Sequence, residues 1–320
     1  MISKLLKISI FDIEVSSVCN LNCRFCPRNK MTETGMMSRE TFQAFLDTVA
    51  LESTNIISFV GMGEPMLNPM LPEFVSMAKA RYPKTPVWVT TNGTRLGKGM
   101  VDELVTAGLD ILDISFNGLK PKEYENNMRG ADFQQTVTHI ERLAEKFKKD
   151  GIKTVLQINY VLTQDNIDRE GEIKNFWRKR GISHFRAQQL HTRGGFIKLP
   201  GAPCADPGLG NRLCKIFKMI HFITWDGNVL YCCHDVERTH ILGNIREKEW
   251  GHIIARKAVI EKERQWPSMC SSCTDMLRFS LSRMIDKKII ENIAAFFYIF
   301  RGKKDKKIKA FRDVQRKRRS

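Results

Sequence analysis

The chain has 320 residues, 42% of them hydrophobic and 27% charged, the balance of a soluble globular protein with enough length for one large domain, alone or with a small module. No apolar run approaches the roughly 18 residues a membrane-spanning helix needs. The formal charge of +17 is uneven: residues 301–320 hold eleven Lys/Arg against Asp305 and Asp313, so much of the basic excess belongs to the tail.

The predicted elements alternate along the chain. Residues 8–16 form a strand that runs into Cys19-Asn20-Leu21-Asn22-Cys23-Arg24-Phe25-Cys26. Ser38 caps a helix over 38–52, with Phe42, Phe45, Leu46 and Val49 at helical spacing. Strands follow at 56–60, 86–91, 110–116, 153–162 and 183–190, and helices at 72–81, 98–107, 132–149 and 168–180. This βα rhythm predicts a parallel sheet of six units, with functional loops at the carboxyl ends of its strands. Residues 192–213 are rich in Gly and Pro and mark the boundary of a first domain, 1–192. Ile223–Tyr231 then reads as a β-hairpin turning at Asp226-Gly227.

Nine cysteines fall in two groups, Cys19/Cys23/Cys26 and Cys204/Cys214/Cys232/Cys233/Cys270/Cys273. Met1–Lys7 has neither a long apolar run nor a small-residue cleavage site, so no signal peptide is expected and a cytoplasmic location is. Metal binding is then favoured over disulfides. Three thiolates on one short loop can hold three irons of a [4Fe–4S] cube and leave the fourth open to a substrate. Zinc with a distant fourth ligand is the plainer alternative.

The Cys-x3-Cys-x2-Cys spacing resembles the signature of the radical S-adenosylmethionine (SAM) enzymes. That resemblance implies a partial (β/α)6 barrel, a catalytic [4Fe–4S] cluster on Cys19, Cys23 and Cys26, and SAM chelated at the open iron. Cleavage of SAM would yield a 5′-deoxyadenosyl radical. Gly61-Met62-Gly63-Glu64-Pro65 is similar to the family's Gly-Gly-Glu-Pro motif, which assigns Gly63 and Glu64 to the SAM amino group and leaves Gly61 undecided. Thr91-Asn92-Gly93 resembles a family turn and is also an ordinary turn signal. By the same resemblance Ser115, with Asn117 second, serves the ribose or carboxylate, and Leu190 packs on adenine. Arg129 would grip the methionine carboxylate, for which a guanidinium fork is suited. His191 and Arg193 are substrate candidates.

Cys214, Gly227, Cys232 and the Cys270-x2-Cys273 pair form a second pattern. On its own it suits zinc or a closed cluster. It resembles the SPASM/twitch extensions of the same family. No cysteine follows Cys273, which implies the shorter twitch form: a hairpin plus helix over 214–275 holding one auxiliary [4Fe–4S] cluster on Cys214, Cys232, Cys270 and Cys273. Cys233 is an alternative to Cys232, and Cys204 is spare.

Residues 276–300 show an amphipathic helical pattern ahead of the basic run. The two together suit a packed helix with a solvated tail, or docking on the anionic inner face of a membrane; nucleic-acid binding is not favoured. The expected function is radical SAM oxidation of a small molecule, such as a sugar-like alcohol, with electrons from a flavodoxin or ferredoxin. Peptide modification is the enzymatic alternative, and a non-catalytic, zinc-stabilised binding protein the alternative of another class.

Overall fold

The computed structural model describes residues 9–51, 55–97, 99–163, 166–198 and 214–275. The linker's 199–213, including Cys204, and the tail from 276 lie outside them.

Six parallel strands form as expected: β1 (Ile10–Ile13), β2 (Ile56–Phe59), β3 (Val87–Thr91), β4 (Ile111–Ser115), β5 (Val155–Leu162) and β6 (His184–Gln189). The helices between them are α1 (Arg39–Thr48), α2 (Leu71–Arg81), α3 (Met100–Thr106), α4 (Pro121–Asn127), α5 (Phe133–Lys149) and α6 (Glu170–Arg178). Local chemistry sets their limits. The Ser38 hydroxyl accepts from Thr41 N at 3.2 Å, and Asp132 Oδ1 from Gln135 N at 2.6 Å, each satisfying a free first-turn donor. Lys146, Lys148 and Lys149 close α5 at the negative end of its dipole.

Period-two alternation sorts each strand between two faces. Phe11 and Ile13, Ile57 and Phe59, Val87 and Val89, Leu112 and Ile114, and Leu156, Ile158 and Tyr160 are buried in the hydrophobic core. On that side Phe42 packs on Phe59 and Phe74, and Phe116 on Tyr124 and Trp177. The opposite face carries Asp12, Ser58, Thr90, Asp113, Gln157 and Arg186. The charge of Arg186 on β6 reaches Asp12 on β1, at the far end of the parallel set. The sheet therefore curls around its polar face, as a partial barrel does.

The hairpin turning at Asp226-Gly227 forms as β7 (Ile220–Ile223) and β8 (Asn228–Leu230), with Gly227 at φ 89°. It is joined to the sheet. β7 pairs in parallel with β1, and β9 (Ile241–Asn244) extends the hairpin, giving one nine-stranded order β6-β5-β4-β3-β2-β1-β7-β8-β9. This pairing covers the β1 edge, which would otherwise expose unpaired backbone groups. The short α7 (Lys215–Met219) precedes β7, and α8 (Trp250–Glu263) packs beside β9. No helix among the described residues is long and apolar enough to cross a membrane.

Candidate metal centres and cofactor site

The first cysteine loop leaves the carboxyl end of β1 and is held from two sides. Met37 N donates to Val15 O at 2.9 Å and Ser17 N to Gly35 O at 3.0 Å. Asn22 N and Arg24 N donate to the carbonyls of Arg129 and Asn127, both at 2.9 Å. Leu21 anchors the loop in the core. Burial pushes the Cys23 thiol up to about 12, and Cys26 and Cys19 add to the shift. Burial likewise raises Cys19, opposed by the Leu21 amide and reinforced by Glu64 and Cys26. Three sulfurs within reach of each other's charge, in a half-buried loop, are a donor set that a cationic iron centre stabilises as thiolates.

The two glycines of the motif after β2 are set by crowding. A Cβ on Gly63 would stand 2.1 Å from Ser16 O, and one on Gly61 would stand 2.5 Å from Glu14 Cγ. Glu64 lies beside the loop, its N donating to Val18 O at 2.8 Å. Its carboxylate turns inward. Oε1 accepts from Met66 N at 3.0 Å and Thr91 Oγ1 at 2.7 Å, and Oε2 accepts from Asn92 N at 2.6 Å. Burial raises this acid while those three donors oppose the shift. The carboxylate thereby ties the β2 loop to the β3 loop.

Asn117 is also committed: its Oδ1 accepts from Val161 N at 2.8 Å, tying β4 to β5. Arg129 is exposed, and its carbonyl supports the cysteine loop. Ser115 stands half-buried at the end of β4, and Leu190 is buried just past β6. Asn92, which the sequence marks only as part of a turn, lies against the cysteines, with Nδ2 at 3.9 Å from Cys19 Sγ and 2.9 Å from Asn20 Oδ1.

The second group converges. Cys214, Cys232, Cys270 and Cys273 line one cavity with Ile216, Phe217, Tyr231, Met269, His234 and Gly194. Cys233 is not on its wall. His234 N donates to Cys232 Sγ at 3.5 Å. Four sulfurs facing one mostly apolar enclosure are the donor set of a closed cluster.

Other groupings were hidden in the sequence. Glu14 pairs with Arg238, joining β1 to the loop after Cys233. His191 and His234 converge on Asp275, their Nε2 atoms 3.5 and 2.9 Å from Oδ2. Burial, with Arg193 and His234 beside it, pushes the His191 imidazole down to about 3 against the pull of Asp275, so it is neutral near pH 7.

Residues 13–174 match the model of the Radical SAM superfamily, and residues 214–274 that of an iron-sulfur cluster-binding domain, SPASM. The S-adenosyl-L-methionine-dependent 2-deoxy-scyllo-inosamine dehydrogenase of Niallia circulans is 23% identical over 84% of this chain and 93% of its own length. A GTP 3′,8-cyclase of Chlorobaculum tepidum is 34% identical over 41% of this chain; that match spans only 39% of the cyclase. In fold, the chain is similar to BtrN in complex with AdoMet and 2-DOIA (TM-score 0.60, 21% identity, 84% of this chain and 94% of that one). It is also similar to anSMEcpe with AdoMet and a peptide (TM-score 0.59, 16% identity, 89% and 96%).

Proposed function

The chain belongs to the radical SAM superfamily, and from that premise we propose that it oxidises an alcohol of a small, sugar-like molecule. The cofactors of such an enzyme are a catalytic [4Fe–4S] cluster, SAM and, with the SPASM domain, an auxiliary cluster. Cys19, Cys23 and Cys26 would hold the first, and Cys214, Cys232, Cys270 and Cys273 the second. When bound, these groups supply a 5′-deoxyadenosyl radical for hydrogen abstraction and an acceptor for the second electron.

The chain's own contribution is placement. The carbonyls of Asn127 and Arg129 fix the cysteine loop, Asn92 lies against Cys19, and Glu64 braces the two loops beneath. Gly63 lets the β2 loop close on the backbone before Cys19. Ser115 at the end of β4 and Leu190 just past β6 would contact the nucleoside, Gly63 and Glu64 the amino group of SAM, and Arg129 the methionine carboxylate. A flavodoxin or ferredoxin would supply the electron. The basic tail would dock on anionic membrane, which sedimentation with anionic vesicles at low salt tests.

The observation that carries the alcohol reading is the polar curved face, with Asp12, Asp113, Asn159 and Arg186 where a hydroxylated substrate needs hydrogen bonds. The near-full-length similarity to a dehydrogenase of an aminocyclitol supports it. The fold shared with a peptide complex supports peptide modification as the second reading. An aminocyclitol deuterated at its carbinol carbon separates them. Deuterium recovered in 5′-deoxyadenosine together with a ketone supports alcohol oxidation. Label transfer from a peptide alone supports the second reading.

A further inference from the structure

Among the described residues the curved face carries three acids, and its cations pair with two of them. Glu14 pairs with Arg238 and Asp113 with Arg186, and Gln157 Nε2 at 2.9 Å and Thr90 Oγ1 at 3.3 Å complete the surroundings of Asp113. Asp12 forms no ion pair among the described residues. Ser58, opposite it on β2, gives it a hydrogen bond, and the charges of Arg186, Arg193 and His234 reach it from a distance. Burial outweighs all of these and pushes its carboxyl up to about 7. A recessed acid without a counter-charge is costly to ionise, and a cation beside it removes that cost.

Two further polar atoms on this face are unmatched. Asn159 is 7% exposed, and its Oδ1 accepts no hydrogen bond from the described residues. Arg186 lies in register with it on β6, and its buried Nε donates to none of the described residues. Each such group carries a desolvation cost until a partner arrives. An acceptor and a donor side by side, neither serving the other, match a hydroxyl group, which both donates and accepts.

We propose that this face binds an amino alcohol, with its ammonium on Asp12 and a hydroxyl that donates to Asn159 Oδ1 and accepts from Arg186 Nε. The assignment rests on the alcohol-oxidation reading and narrows its substrate class. Asp12 then sets specificity: a ring of the same shape without the amine leaves the carboxyl without its counter-ion.

The test uses the full chain, reconstituted anaerobically and saturated with SAM. Equilibrium dialysis compares 2-deoxy-scyllo-inosamine with the cyclitol in which a hydroxyl replaces the amine. The amine is expected to bind at least tenfold more tightly at pH 7. Asp12→Asn is expected to erase that preference while iron content and SAM binding stay as in the parent. Asn159→Ala is expected to weaken both probes alike. Equal binding of the two probes, binding of neither, or a preference that survives Asp12→Asn overturns the inference. Deuterium transfer from alcohols regardless of an amine would leave the oxidation reading standing and remove only this assignment.

Discussion

The carboxylate of Glu14, 1% exposed at the end of β1, accepts from the guanidinium of Arg238, 224 residues away in the cysteine-rich module. Its other oxygen accepts from Met62 N at 2.9 Å, beside the glycines of the β2 loop. One buried side chain thus touches the strand leading to the first cysteines, the second motif and the auxiliary module. Arg238→Met removes the counter-charge and leaves a buried acid. The expected loss is about 3–5 kcal/mol, measured by urea unfolding, and Arg238→Lys should recover part of it.

The same acid sets a pH dependence. Burial raises Glu14 from 4.5 to about 7, with Arg238 opposing. The folded state therefore holds this proton more tightly than the unfolded state does. The stability it contributes is full below about pH 4.5 and is lost as pH rises towards and through 7. Glu14→Gln should flatten the fall in Tm across that window. An unchanged slope would show that Glu14 ionises freely in the fold.

Gly63→Ala places a Cβ 2.1 Å from a backbone carbonyl, and neither side can move without displacing the segment before Cys19. Iron at the first site should fall by half or more in the isolated protein. Gly61→Ala meets Glu14 at Cγ (2.5 Å) and Cβ (2.8 Å) instead, so it should strain the Glu14–Arg238 pair more than the segment before Cys19, and its iron loss should be smaller. Elemental analysis of the two variants beside the parent decides it.

Cys232 and Cys233 lie side by side, their sulfurs within 4.8 Å, but Cys232 lines the cavity and Cys233 does not. Cys232→Ala should reduce total iron from about eight to about four per chain, the content of two cubes and of one. Cys233→Ala should keep about eight. The reverse pattern would move the ligand assignment to Cys233.

Strand order, the cysteine loop and the hairpin at Asp226-Gly227 are legible locally, because alternation, spacing and turn residues act over a few positions. The pairing of β7 with β1 is not, since nothing near Ile220–Ile223 states which strand it joins. α4 is short and lies outside the βα rhythm, signalled only by Pro121 and Glu123 in its first turn. The motif around Glu64 was found, but not the direction of its carboxylate, which depends on amides arriving from β3. Asp12 and Glu14 read as polar positions in a strand, and only the curl of the sheet shows what they face.

The central claim is that Cys19, Cys23 and Cys26 hold a cluster with one iron open to SAM. Its most direct test is 5′-deoxyadenosine formation by the reduced, anaerobically reconstituted chain, compared with Cys19→Ala, Cys23→Ala, Cys26→Ala and Cys232→Ala. The account predicts cleavage by the parent, loss in each of the first three variants, and residual SAM cleavage in Cys232→Ala. A colourless protein with stoichiometric zinc, or cleavage that survives loss of Cys23, would contradict it.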